Sequence, residues 1–345
     1  MSTTPPRNVI YYDDNSNPIS LAGISGLPYT DVILAFLVPG GNFNLAGQGG
    51  AFGSDGNPDP NDIQALQNAG KNVLISVGGD IESFSSSDWQ QYAQDVNGLV
   101  DQLVGYVTAN GLNGVDIDYE DDSGFTGAYD GITFLTDLTN GLAQNLPPGQ
   151  NIITHAPQPP YFDPHSRFKN AYTKIWEGAG SNISWLNCQF YNNPWYDAPA
   201  STKVSSYETF AGTIGAQKLL MGVPLDPATG GYLPLNKFTS QVIAPLLQRF
   251  GSAFGGVMGW EFSYDQCGTW AEGTAQALAG GTGIGAPTPG QQYTIRAGDT
   301  LYSIATAAYG AADAGQGVTA IAAANPGIDP DDLQIGQVIY IPVLT

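Results

Sequence analysis

Gly114-Val115-Asp116-Ile117-Asp118-Tyr119-Glu120 sets three acids in alternation with three bulky apolar residues. Side chains of a β-strand point to opposite faces in turn, so Asp116, Asp118 and Glu120 share one face. Val115, Ile117 and Tyr119 share the other, and such residues suit a buried strand face. Three acids in line on an inner face resist ionising together, so at least one pKa is expected to rise. Glu120 lies at the C-terminal end of the strand, where a raised pKa suits a general acid. Two other readings stay open on spacing alone. One is the solvated edge of an acidic chain. The other is a calcium loop, although its glycine and distal glutamate are out of register here.

With the residue before it, Asn113-Gly114-Val115-Asp116-Ile117-Asp118-Tyr119-Glu120 resembles the D-G-x-D-x-D-x-E signature of glycoside hydrolase family 18. That family holds chitinases and endo-β-N-acetylglucosaminidases. Asn113 stands where the signature has its first Asp, ahead of the in-line acids. The resemblance implies a retaining reaction in which the substrate's own 2-acetamido oxygen is the nucleophile. Glu120 then protonates the leaving oxygen and afterwards activates water. Asp118 orients the acetamido group, and Asp116 shares a proton or hydrogen bond with Asp118. No cofactor and no metal are implied.

Outward from this strand, short apolar runs alternate with helical patterns from Asn8 to about Gly281. Val9–Tyr12, Val32–Leu37, Val73–Val77, Gly114–Tyr119, Ile152–Ala156, Trp185–Phe190, Leu219–Val223 and Gly256–Trp260 read as strands. Asp62–Ala69, Trp89–Ala109, Ala128–Gln144 and Ser240–Phe250 are among the helical segments. Eight strands alternating with helices predict an α/β chain folded as a (β/α)8 TIM barrel, with its chemistry at the C-terminal strand ends.

Other strand ends extend the resemblance. Ser76-Val77-Gly78-Gly79 resembles the family's S-x-G-G motif, and its plainer reading is close backbone packing beside the acid strand. Gln189-Phe190-Tyr191-Asn192-Asn193 resembles a segment of hevamine-type chitinases. It implies that Tyr191 hydrogen-bonds the N-acetyl group, that Gln189 assists, and that Asn192 contacts substrate. Gly255-Gly256-Val257-Met258-Gly259-Trp260-Glu261 resembles the family's eighth strand, with Trp260 as the floor under the sugar. Tyr11 and Phe36 match positions lining the sugar pocket. Trp176, Trp195 and Tyr196 either extend the cleft or pack loops.

The chain of 345 residues has room for one large domain and a small module. Its formal charge of −21, from 31 acids against 10 bases, argues against nucleic acid or an anionic membrane as partner. No apolar run reaches membrane-spanning length. Few charges (12%) with abundant Gly (45), Pro (24) and Tyr (18) fit secreted polysaccharide enzymes, so an extracellular or cell-wall location is expected. Met1–Arg7 has no apolar stretch, so no signal peptide is read there. Cys188 and Cys267 make no disulfide framework, and Cys188 in a core strand reads as a packed thiol. His155 and His165 lack ligand spacing. Nothing suggests an obligate oligomer, so a monomer is expected.

Composition shifts near Gly280. Residues 281–290 read as a Gly/Pro/Thr linker between a catalytic barrel at 8–280 and a module at 291–345. Tyr293-Thr294-Ile295-Arg296-Ala297-Gly298-Asp299-Thr300-Leu301-Tyr302-Ser303-Ile304-Ala305, Asn325-Pro326 and the closing Leu333–Pro342 stretch resemble a LysM domain. The same residues read as a small β-α-α-β unit with Asp299-Thr300 as a helix cap. LysM modules bind N-acetylglucosamine polymers, which implies contacts from Gly298, Asp299, Thr300 and Leu301 and from Asn325, Pro326, Gly327 and Ile328. A polymer anchor raises local concentration on an insoluble substrate, which favours a chitinase over an N-glycan endoglycosidase. A silent lectin, which would lack the terminal acid, and a protein led by its LysM are the other classes.

Overall fold

A computed structural model describes residues 6–279, 287, 289–295, 299–310, 313–330, 333–334 and 337–344. Eight strands form in the expected order: β1 (Arg7–Tyr12), β2 (Asp31–Pro39), β3 (Asn72–Gly79) and β4 (Gly114–Tyr119). Then follow β5 (Ile152–His155), β6 (Trp185–Gln189), β7 (Leu219–Pro224) and β8 (Gly256–Trp260). Each pairs in parallel with the next, and β8 pairs with β1 through Val9↔Met258 and Ile10↔Gly259, closing the barrel. A short antiparallel strand, Leu45–Gly47, lies on the upper end of β2.

Alternation along the strands makes two apolar layers. Val32, Val73, Ile75, Val115, Ile117 and Leu186 face outward and are covered by the helices. Val9, Tyr11, Ile33, Leu74, Trp185, Leu220 and Met258 fill the barrel interior. At the N-terminal end, Arg7 Nη1 bonds both oxygens of buried Asp31 at 3.0 Å and lies 3.7 Å over the Trp185 ring. Those contacts neutralise the one charged pair at that end of the interior among the described residues.

Several helices begin where side chains satisfy their free N–H groups. Asp59 caps Pro60–Asn68, and Ser85 with Asp88 makes a capping box on Ser86–Gln94. The single helix expected over Trp89–Ala109 is two, because Asp95 leaves helical geometry and caps Val96–Ala109 through the Gly98 N–H. The helix expected from Ala128 starts at Gly131, behind the Asp130 cap. Near Ser240 a wide turn, Thr239–Ile243, precedes Ala244–Phe250, where Pro245 lacks a donor to continue the ladder.

The C-terminal unit is β9 (Gln291–Thr294) antiparallel to β10 (Val338–Ile341), with helices Leu301–Tyr309 and Ala314–Ala324. Tyr293, Ile295, Ile304, Ile321, Ile339 and Ile341 form its core. Thr300 caps the first helix and Ser303 completes the capping box.

Candidate active site

Register sets the environment of the acid strand. Ser76 of β3 and Thr154 of β5 flank Asp116 of β4 as direct Cα partners. Four neutral donors converge on its carboxylate: Thr154 Oγ1 at 2.5 Å, Tyr11 OH at 2.7 Å, Ser76 Oγ at 2.8 Å and Asn187 Nδ2 at 3.1 Å. Burial raises the Asp116 pKa, and these donors oppose the rise by stabilising the ionised form. They replace the hydrogen bond expected between Asp116 and Asp118, because both Asp116 oxygens are already occupied.

Asp118, one pleat higher, is buried and accepts from Gln189 Nε2 at 2.9 Å. Burial, then the charges of Glu120 and Asp116, hold its pKa well above the carboxylate range. Glu120 follows the strand end and is half-buried. Its Oε1 accepts from the same Gln189 Nε2 at 3.0 Å, and its Oε2 from Gln158 Nε2 at 3.2 Å. Burial raises its pKa, the two amides oppose this, and the Asp80 charge adds to it. One amide nitrogen thus ties two upward-shifted acids together, so their protonation is a property of the set.

Gly78 explains how β3 comes so close to this strand. Its φ is +123°, and a Cβ there would lie 1.9 Å from the Asp118 carbonyl oxygen. The plainer reading of the Gly-Gly strand end is therefore a physical requirement of the site.

Asp118 and Glu120 open into a cavity of about 510 Å³ walled by Phe36, Gln189, Tyr191, Asn192 and Trp260. Phe36 and Trp260 stack at 5.6 Å, giving an aromatic face able to meet the apolar face of a pyranose. The peptide bonds before Phe36 and after Trp260 are both cis. Burial, then the charges of Asp118 and Glu120, hold the Tyr191 phenol protonated, so it is a hydrogen-bond donor at the wall. Two acids with raised pKa values, a donor and an aromatic wall suit protonation of a sugar leaving group.

Tyr11 does not line this cavity. It lies one layer below, edge-on to Trp260 at 5.5 Å, with its hydroxyl spent on Asp116. The sequence reading missed Asp13, Asp80, Gln158 and Asn193, which do line it. Asp13, Asp80 and Gln158 follow the ends of β1, β3 and β5, so strand-end position was the available signal. Of the three open aromatics, Trp176 lies under Lys218 at 5.3 Å and Tyr196 is tied to Asp163 at 2.6 Å, which are packing roles. Trp195 is 87% exposed.

In the C-terminal unit, Gly298 lies outside the described residues. Leu301 is buried in the core, so its side chain is not free for a ligand. Asn325 is likewise committed: its amide bonds Ile321 O, Tyr340 O and the Tyr340 N–H, each at 2.7 Å. Asp299 accepts from Tyr293 OH at 2.8 Å, and the Thr300 hydroxyl caps its helix. Pro326 and Gly327 are exposed, and Ile328 packs partly on the core. Cys188 is buried in β6 and Cys267 is exposed, both as free thiols. Among the described residues, no His, Cys, Asp or Glu group is arranged to hold a metal, and no helix is long and apolar enough to cross a membrane.

Comparison with known proteins agrees with this geometry. The profile of glycosyl hydrolases family 18 matches residues 7–229, and that of the LysM domain matches residues 293–342. The chain is 33% identical to acidic endochitinase SE2 of Beta vulgaris over 281 residues, covering 74% of this chain and 87% of the relative. It is 31% identical to an acidic endochitinase of Nicotiana tabacum, covering 74% and 88%. A crystal structure of a GH18 chitinase from Pseudoalteromonas aurantia superposes with a TM-score of 0.73 at 37% identity, over 79% of this chain and 99% of that one. A fungal endo-β-N-acetylglucosaminidase shares the fold at TM-score 0.61 and 22% identity, over 80% of this chain and 99% of that one. An acid-bearing fourth strand in a closed parallel barrel, matched by that profile over more than half its length, makes this chain a member of glycoside hydrolase family 18, with a LysM domain near its C-terminus.

Proposed function

We propose that the protein is an endo-acting chitinase that cleaves β-1,4 bonds between N-acetylglucosamine units with retention. The observation that carries the reading is the Gln189 amide between Asp118 and Glu120, both with raised pKa values, at an aromatic-walled cavity. Glu120 protonates the glycosidic oxygen as the bond breaks. The 2-acetamido oxygen attacks the anomeric carbon, forming an oxazolinium ion and keeping the geometry for retention. Asp118 holds the acetamido nitrogen and offsets the positive charge that develops on it. Tyr191 donates to the acetamido oxygen, and Gln189 fixes both acids. Asp116, fully bonded below, contributes the charge that helps raise the Asp118 pKa. Glu120, now ionised, takes a proton from the water that opens the oxazolinium ring.

Phe36, Asn192 and Trp260 bind the sugar next to the cleaved bond. Residues 8–280 form the catalytic unit and 281–290 the linker. Residues 291–345 form the LysM module, which anchors the enzyme to chitin outside the cell. Endochitinase relatives at 31–33% identity support chitin as substrate. Mass spectrometry of products from chitin hexasaccharide and from a glycoprotein carrying high-mannose N-glycans tests this. Short chitin oligomers are expected from the first and no release from the second. Glycans released with one N-acetylglucosamine left on the protein would replace the reading with an N-glycan endoglycosidase.

A further inference from the structure

The segment that carries Tyr191 rests on a buried charge. Lys203, on the helix Ala200–Ile214, is fully buried. Its Nζ donates to the carbonyl oxygen of Phe190, the residue before Tyr191. At the other end of the segment, Asp197 is 2% exposed and accepts the Asn193 N–H at 2.7 Å. Between these anchors the Asn192 N–H donates to Gly230 O, and Asn193 Nδ2 donates to Tyr191 O, both at 2.9 Å. Asn192 itself has φ +56°, a left-handed conformation that persists in a non-glycine residue when its neighbours over-determine it.

Burying an ammonium opposes folding, because its lost hydration must be offset by its contacts. Burial draws the Lys203 pKa down to about 8, with Asp197 opposing the fall. Stability therefore gives a poor account of this lysine. Its acceptor, on the backbone next to a cavity-wall tyrosine, gives a better one.

We propose that Lys203, with Asp197 as the second anchor, is a positioning residue for the reaction at Glu120. Lys203 sets the peptide plane before Tyr191, and Asp197 fixes the Asn193 N–H two residues beyond it, so that the Tyr191 hydroxyl stands where the acetamido oxygen binds. Neither side chain lines the cavity; both act through Tyr191. The proposal rests on the role given to Tyr191 under the proposed function.

A double-mutant cycle on the full-length protein, with chitin hexasaccharide as substrate, tests it. The variants are Lys203→Met, Tyr191→Phe and the pair, with Tm measured for each. Lys203→Met should lower kcat about tenfold while changing KM by about twofold or less, because a misplaced group costs turnover more than binding. Its Tm should fall by a few degrees at most, because the Phe190 carbonyl oxygen loses its donor. In the Tyr191→Phe background the same substitution should cost about twofold or less, since residues acting in one chain are not additive. Lys203→Gln keeps an N–H donor; it should recover part of kcat, and it stands in should the Met variant misfold. An equal fractional loss of kcat in both backgrounds, or a Tm lowered by well over a few degrees alongside the loss, overturns the proposal alone. If Tyr191→Phe leaves kcat unchanged, the role assigned to Tyr191 fails first and the proposal fails with it.

Discussion

Replacing Gln189 by methionine keeps the side-chain length and removes the amide that links the two acids. Gln189 Nε2 lies 2.9 Å from Asp118 Oδ1, 3.0 Å from Glu120 Oε1 and 3.0 Å from Ala156 O. The bonds to Asp118 and Glu120 stabilise ionised carboxylates, and so work against the rise that burial imposes. A hydrogen bond to a charged group contributes about 1.5–3 kcal/mol. One pKa unit is about 1.4 kcal/mol, so losing the shared donor should raise the Glu120 pKa by about one to two units. With Glu120 protonated to higher pH, the descending limb of kcat/KM moves to higher pH by about the same amount. Turnover at the optimum falls at the same time, because Asp118 loses the Gln189 donor. The assay is a set of initial rates on a soluble chitin oligosaccharide across overlapping buffers, wild type against Gln189→Met. A limb that stays in place, or moves to lower pH, refutes the reasoning that this amide tunes the acid.

Three further outcomes follow from the same geometry. His155 is buried between the Thr139 and Tyr172 hydroxyls, and burial draws its pKa down to about 3. The unfolded chain takes up that proton below about pH 6.5, so stability should fall as pH drops through this window, by up to about 1.4 kcal/mol per unit. His155→Gln should flatten the Tm against pH curve there, and an unchanged slope would count against the buried neutral imidazole. Trp260→Ala removes one of two stacked walls and should raise KM for chitin oligomers about tenfold or more; an unchanged KM would remove Trp260 from the sugar site. Asn325→Ala breaks two bonds that hold the loop after the second LysM helix to Tyr340 of β10 and one that ties it back to that helix at Ile321, and should destabilise that unit by about 1–3 kcal/mol. Hydrogen exchange on the full-length protein reads this as faster exchange confined to residues 291–344, and no change would mean that the three bonds do not hold the domain.

What could be read from sequence was whatever repeats along a strand or is carried by a local motif. The alternation at Asp116–Glu120 and the eight apolar runs gave the barrel, because strand period and length are local properties. Helix ends were less legible. Asp95 ends one helix by capping the next, a choice made by geometry and not by apolar spacing. Tyr11 could not be placed from its own surroundings. Whether an inward aromatic lines a cavity or lies beneath it depends on which layer of the barrel it occupies, and the Asp116 contact spans 105 residues of sequence. Asn325 shows the same limit in the LysM domain, where a residue past a helix end proves to be a clip onto β10. Gln158, Asp13 and Asp80 carried no motif, only their position just past a strand end.

The central claim is that Glu120 supplies the proton that breaks the glycosidic bond. Glu120→Gln preserves the side-chain shape and removes that proton. Calorimetric binding of chitin hexasaccharide and turnover of the same oligomer should be measured together on wild type and variant. The account predicts binding within about threefold of wild type, with kcat lowered by about 10² to 10⁴-fold. Near-normal turnover in the variant would contradict it, and would mean that another group in the cavity is the acid.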